Sequence, residues 1–275
     1  MTVQPRLLVE KTLKLYVGGK FIRSESGRVD RIRATGVQPR DIYVCRASRK
    51  DFRDAMDQAR AALAGWSGRS AYNRGQILYR LAEILEDRAH ALPIDDEHVH
   101  LAVDRVVHHA GWCDKIQALL STLNPVATAH VNYSMLRPVG VVVAVPDPAD
   151  ELLGMVEALC AATLMGNVVK LFVPLAAGEL ATALAEALAT CDMPAGVVDV
   201  MTTDVPGLLA WANHHDDLDA IYIAEGAVDP ELRASTQREA ARVMRRLIHV
   251  TGAAESASPL TLQQLAEIKT VWMSS

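Results

Sequence analysis

A thiolate is a potent nucleophile, and this chain holds four cysteines that could supply one: Cys45, Cys113, Cys160 and Cys191. A thiol attacks a carbonyl well only where a base or a positive field lowers its pKa. Cys160 stands among Ala158, Leu159, Ala161 and Ala162, a run that reads as the middle of a buried helix. Cys113 lies in Ala110-Gly111-Trp112-Cys113-Asp114-Lys115, also within a helical stretch. No two cysteines have CxxC spacing, so the pattern points neither to a zinc ribbon nor to a redox pair. The expectation is four reduced, mostly buried thiols, with no disulfide, no metal and no catalytic cysteine.

The rest of the composition narrows the classes further. The chain has 275 residues, half of them hydrophobic (50%), which is enough for one large core or two smaller ones. The net charge of −5 is spread along the chain. There is no basic block and only 5% aromatic residues, so nothing marks a nucleic-acid footprint. The start, Met1 to Arg6, leads into no long apolar run of the signal-peptide kind. The most apolar stretch, Val139 to Val145, is too short to span a bilayer. A cytoplasmic protein with no membrane or nucleic-acid partner is expected.

The elements that must position any site read in two rhythms. Residues 14 to 45 are short strands and turns, with Leu15-Tyr16-Val17-Gly18-Gly19-Lys20-Phe21 forming a hairpin signal. Helices are expected over Asp51–Ala64, capped by Ser48, and over Tyr72–Asp87. Residues 91 to 100 look irregular, and a further helix runs from about Leu101 to Leu120. From Val139 onward, apolar strands alternate with helices. The strands are Val139–Val145, Val168–Val173, Val197–Met201, Ala220–Ile223 and Leu247–Val250. Such alternation means a parallel sheet covered on both faces, joined by right-handed crossovers. Ile268-Lys269-Thr270-Val271-Trp272 is a β-branched terminal strand that needs a sheet to join.

Several tags, in order along the chain, resemble the aldehyde dehydrogenase family. They are Tyr16-Val17-Gly18-Gly19-Lys20-Phe21, Trp66 with Arg74-Gly75-Gln76-Ile77-Leu78, and the Ala110 to Lys115 stretch. They continue with Arg137-Pro138-Val139-Gly140-Val141-Val142, Gly166-Asn167-Val168-Val169 and Pro194-Ala195-Gly196-Val197-Val198-Asp199-Val200. His215-Asp216-Asp217-Leu218-Asp219 and Glu267 to Trp272 complete the series. The resemblance implies an α/β fold: a Rossmann-like parallel sheet, an N-terminal helical segment, and a small β-flap (oligomerisation) sheet completed by the C-terminal strand. The segments expected are 1–130 for the N-terminal hairpin and helices and 131–138 for a flap arm. The Rossmann-like domain then covers 139–250, a linker 251–261, and the oligomerisation strand 262–275.

The resemblance also sets expectations by what is altered. The family's catalytic domain, with its nucleophilic cysteine, has no counterpart here, because Val250 leads within about twenty residues to the terminal strand. In the loop Pro146-Asp147-Pro148-Ala149-Asp150-Glu151, Pro148 takes the position of an oxyanion-hole asparagine. Phe172 and Leu175 replace a ribose-binding lysine and a following glutamate, while Lys170 lies two positions early on the same strand face. Glu225 and Pro230 replace glycines that let backbone approach a pyrophosphate at a helix N-terminus. Asp229, as a helix N-cap, competes for the same amide donors. These features imply a pseudoenzyme subunit with no cofactor, similar to the non-catalytic second half of two-part aldehyde dehydrogenases. Its partner would be a full-length aldehyde dehydrogenase subunit, or a second copy bound through the flap. The interface residues would be Tyr16, Phe21, Ile268, Thr270, Val271 and Trp272. The alternative is a degenerate NAD- or NADP-binding oxidoreductase of the family.

Overall fold

Two serines start the first long helices. Ser48 accepts from the Asp51 amide while the Asp51 carboxylate accepts from the Ser48 amide, a complete capping box, and Ser70 accepts from the Asn73 amide. The computed structural model describes residues 10–34, 40–251 and 257–274. In chain order it contains β1 (Thr12–Leu13), β2 (Leu15–Val17), β3 (Lys20–Ile22), β4 (Val29–Arg33), β5 (Asp41–Cys45), α1 (Arg49–Ser67) and α2 (Ala71–Asp87). Next come α3 (Asp96–Trp112), α4 (Lys115–Leu120), β6 (Thr122–Asn124) and β7 (His130–Pro138). Then follow β8 (Val141–Val145), α5 (Glu151–Leu164), β9 (Val168–Pro174), α6 (Gly178–Leu188), β10 (Val198–Thr203) and α7 (Val205–Ala212). The chain continues with β11 (Ala220–Ala224), α8 (Pro230–Arg242), β12 (Arg246–Val250), α9 (Pro259–Gln264) and β13 (Ala266–Ser274).

The main sheet has the order β12-β11-β8-β9-β10-β2-β3. Its five strands from β12 to β10 are parallel, as the apolar runs require, and every residue of β8 is buried. The hairpin β2–β3 turns on Gly18 and Gly19, at φ +58° and +75°, a left-handed pair that glycine adopts without steric cost. The hairpin is not a separate opening unit. It joins the main sheet antiparallel to β10, with Val200 opposite Tyr16. A second small sheet has the order β1-β5-β4, and a third has β13-β7-β6. In the third, β13 runs antiparallel to β7 over nine residue pairs, from Ala266–Pro138 to Ser274–His130. The α/β class with a flap sheet completed by the C-terminal strand is therefore observed.

The helices α1, α2, α3, α5 and α6 contribute to one apolar core with both ends of the main sheet, so residues before and after 138 share it. The segment expected to be irregular already forms the first turn of α3. Asp96 and Glu97 place negative charge at that helix N-terminus, which favours its start. The helix then breaks at Cys113–Asp114 and resumes as α4. Of the expected linker, residues 252–256 lie outside the described residues, while α9 covers its end. Among the described residues, no helix is long and apolar enough to cross a membrane.

Candidate functional site

The strand order reverses at β8. The chain proceeds from β8 outward through β9 to β10, then returns to lay β11 and β12 on the other side of β8. Open parallel sheets place ligands outside the carboxyl ends of their strands at such a reversal, because the two flanking loops diverge and leave a crevice. Here that edge is built by the turn after β8 (146–150), the turn after β9 (175–177) and the turn after β11 (225–229).

Each turn has a local cause. After β8, the Asp147 carboxylate accepts from the Ala149 amide at 2.9 Å and closes a tight turn over Pro148–Asp150. The backbone of this turn lies against α5, where a Cβ at Gly154 would stand 2.8 Å from the Asp147 carbonyl oxygen. After β11, the Glu225 amide donates to the Val250 carbonyl at 2.7 Å, and Gly226 turns the chain at φ +81°. Asp229 then caps α8, accepting from the Leu232 amide at 2.8 Å, with Pro230 as the first helical residue.

A cleft of about 770 Å³ opens between the carboxyl ends of β8 and β9 and the start of α3. This is within the range that holds a cofactor-sized ligand. Its floor is apolar, with Ile94, Leu101, Leu152, Met155 and Leu180. Its rim is acidic, with Asp95, Asp147, Asp150, Glu151 and Glu179, and it has no lysine or arginine among its lining residues. Burial, and then the neighbouring Asp147 carboxylate, push the Asp150 carboxyl above its ordinary value. A slightly larger groove, about 840 Å³, lies between α2 and the α3–α4 junction, lined by Tyr72, Tyr79 and Lys115. It includes none of the strand-end turns, so the smaller cleft is the functional candidate.

Behind the cleft, α3 and α5 are tied by a buried charge cluster. Glu157 accepts from Arg105 through one carboxylate oxygen and lies 2.9 Å from His109 Nε2 through the other. Burial works to raise the Glu157 carboxyl, but His109 and Arg105 together outweigh it and hold Glu157 below the usual carboxylate range. No local pattern in the chain announces this cluster. Arg105 and His109 share a helix face at i, i+4, but their partner comes from a helix 48 residues beyond His109.

The residues expected to matter divide clearly. Pro148, Leu175 and Glu225 lie in the three turns of the carboxyl edge, but only Pro148 lines the cleft, and Leu175 packs on the core of the β1-β5-β4 sheet. Pro230 heads α8 beside them and is exposed. Phe172 does not join them, being wholly buried with its ring 5.4 Å from that of Phe52. Lys170 is also wholly buried, paired with Asp199 inside the sheet, and so cannot reach a ligand at the edge. Of the expected interface residues, Ile268, Thr270 and Trp272 are exposed on β13 and Val271 is half-buried. Tyr16 and Phe21 need correction. Tyr16 is buried in the main sheet with Phe21 packed on it, ring centroids 5.2 Å apart, because the hairpin joins β10 rather than the flap. All four cysteines are buried and none lines the cleft. Burial raises the Cys160 thiol, pushes Cys113 up to about 12 and pushes Cys191 up to about 11, so these three are protonated at neutral pH.

Comparison with known proteins places this geometry. The sequence profile described as the aldehyde dehydrogenase family matches residues 22–228. The chain is 30% identical over 220 residues to "Putative aldehyde dehydrogenase DhaS" of Bacillus subtilis (strain 168), covering 73% of this chain and 43% of DhaS. It is 28% identical over 211 residues to the cytosolic 10-formyltetrahydrofolate dehydrogenase of Homo sapiens, covering 68% of this chain and 23% of that protein. In fold it is similar to the aldehyde dehydrogenase of Bacillus cereus solved as an NAD+ complex. That match has a TM-score of 0.78 and 19% identity, covering 87% of this chain and 50% of that one. The chain thus spans less than half the length of these two relatives and half of that solved structure. The expectation of a pseudoenzyme is corrected by these findings. The matching family is one of dehydrogenases, and the fold is shared with a member solved with its cofactor bound.

Proposed function

Because the chain belongs to the aldehyde dehydrogenase family, we propose that it forms the dinucleotide-binding part of an NAD- or NADP-linked oxidoreductase of that family. The observation that carries this reading is the strand reversal at β8 with a cofactor-sized cleft at the carboxyl edge beside it. At the reversal Gly226 turns the chain at φ +81°, with the Asp147 carboxylate 3.4 Å from where its Cβ would stand. The apolar floor can receive a flat ring, and the turns after β8 and β9 would orient it. When bound, a nicotinamide dinucleotide supplies hydride acceptance. This chain's own work would be to bind and orient that group and to exclude water. No cysteine of this chain faces the cleft, so a nucleophile for aldehyde oxidation would come from another polypeptide segment.

Titration calorimetry with NAD+ and NADP+ tests the reading. A ligand that binds only the folded state also raises the melting temperature, by an amount equivalent to about 2.7 kcal/mol at a hundredfold excess over Kd. Heat of binding with a parallel rise in Tm is the expected result. No heat and no shift with either dinucleotide at millimolar concentration would sink it.

A second reading concerns a partner, and the third sheet favours it. Ile268 (60% exposed), Trp272 (61%) and Met273 (47%) stand out on β13, with Leu123 (78%) on β6. By the two-residue period, Ile268 and Trp272 lie on one face and Met273 on the other, so both faces show apolar side chains to solvent. We propose that this sheet pairs with a full-length aldehyde dehydrogenase subunit, or with a second copy of this chain.

A further inference from the structure

We propose that this chain pairs with a second copy of itself, edge to edge through β13, with Thr270 of one copy opposite Thr270 of the other. The inference rests on the partner reading of the third sheet above, commits it to one partner and fixes the register.

Among the described residues β13 is an edge strand. One side is bonded to β7 over all of Ala266 to Ser274, and no strand pairs with the other side. The opposite edge of that sheet, β6, is only three residues long and is followed by Pro125. The long run of unpaired backbone groups therefore belongs to β13. It contains no proline and no glycine, and its charges are Glu267 and Lys269 alone. Such an edge is a template for another strand.

The strand is self-complementary in one register. A two-fold axis through the sheet joins two copies antiparallel and keeps each face on its own side, so residues of like parity meet. With Thr270 on the axis, the whole of β13 overlaps and Ile268 of each copy stands opposite Trp272 of the other. Pairs of an aromatic with a β-branched side chain stabilise an antiparallel ladder. Lys269 then faces Val271 and Glu267 faces Met273, so no like charges meet. Centring on Lys269 instead sets two ammonium groups opposite each other, which is destabilising. Centring on Val271 puts Trp272 opposite Thr270 and confines the overlap to 268–274.

A pocket waits where this register delivers the tryptophan. Leu260 of α9, with Ala266 and Ile268 at the start of β13, lines a surface pocket of about 460 Å³. Leu260 is 68% exposed there. Opposite residues share a face, so Trp272 of the second copy comes down beside Ile268 and against this pocket. The two-fold repeats the contact, each copy giving one tryptophan and receiving one. A tryptophan sunk in a pocket is the usual anchor of an interface.

Cysteine cross-linking of the full chain tests the register. Thr270→Cys sets two thiols opposite each other across the axis. Opposed Cα atoms in an antiparallel ladder lie about 4.5–5.5 Å apart, within disulfide range. The chain's own four cysteines are buried, so they give little background. With oxidised glutathione under native conditions, Thr270→Cys is expected to give a covalent dimer. Lys269→Cys and Val271→Cys should give none alone but should cross-link when mixed. In sedimentation, the wild type should be a dimer that Leu260→Asp, which leaves the strand intact, weakens at least tenfold with an unchanged circular dichroism spectrum. Equal cross-linking of the three single variants, or a dimer indifferent to Leu260→Asp, would overturn the proposal. A chain that is monomeric alone but co-sediments with a full-length aldehyde dehydrogenase would overturn it and leave the third-sheet reading standing. Association with neither would overturn both.

Discussion

Lys170 and Asp199 form an ion pair inside the main sheet, Nζ to Oδ2 2.6 Å, with both side chains wholly excluded from solvent. They are direct neighbours on β9 and β10. Each has a second bond: Lys170 donates to the Gly196 carbonyl at 3.1 Å, and Asp199 accepts from the Gly18 amide at 2.7 Å. The pair therefore fastens the turn of the β2–β3 hairpin to the parallel sheet. Burial first, then Cys191 and Asp199, push the nearby Tyr16 hydroxyl up to about 12.

Lys170→Met should destabilise the fold by about 3–5 kcal/mol, because it leaves a buried carboxylate with one amide donor and no counter-charge. Denaturant unfolding measures this. Lys170→Met with Asp199→Asn should recover part of the loss, since the asparagine is neutral and still accepts from Gly18. A single-variant loss under 1 kcal/mol would mean that the pair is not buried as described.

Acid stability should depend on Glu157. Its folded carboxyl lies below the ordinary value, so it contributes stability that is fully present above the unfolded value of about 4.3. That stability is lost as pH falls through the lower folded value. Glu157→Gln should lower Tm near neutral pH and show a shallower decline of Tm on the acid side than the wild type. Parallel curves for the two proteins would argue against an ionised Glu157 between Arg105 and His109.

Trp272→Ala is expected to abolish association through the third sheet, since tryptophans buried on binding often contribute about 2 kcal/mol or more. Trp272 is exposed and away from the core, so the unfolding midpoint of the isolated chain should stay within roughly 0.5 kcal/mol of the wild type. Sedimentation of the chain alone and mixed with a full-length aldehyde dehydrogenase reads both forms of pairing. Unchanged assembly in the variant would place the interface elsewhere. Deletion from Ile268 onward is a harsher change, because β13 is hydrogen-bonded to β7 throughout and its loss exposes that strand.

Periodicity and local chemistry were enough for the elements. The buried runs Val141–Val145 and Val168–Val173, separated by a helix-length apolar stretch, read as parallel strands because only a sheet covered on both faces tolerates them. Ser48 and the Gly18-Gly19 pair announced a helix start and a hairpin turn through bonds and φ values confined to a few residues. The ordered family tags gave the architecture and the family. What sequence could not give was any relation set by packing between distant segments. That the opening hairpin would pair with β10, drawing Tyr16 into the core, depended on long-range registry. Lys170 read as a displaced ribose contact until the fold brought Asp199 to its side, where a buried ammonium must find a counter-charge. Arg105, His109 and Glu157 became a cluster only when α3 packed on α5. Asp147 and Gly226 lie 79 positions apart in sequence and meet only because the strand order reverses at β8. Local sequence determines local conformation, whereas charge pairing, burial and the shape of a crevice belong to contacts that exist only once the chain has closed on itself.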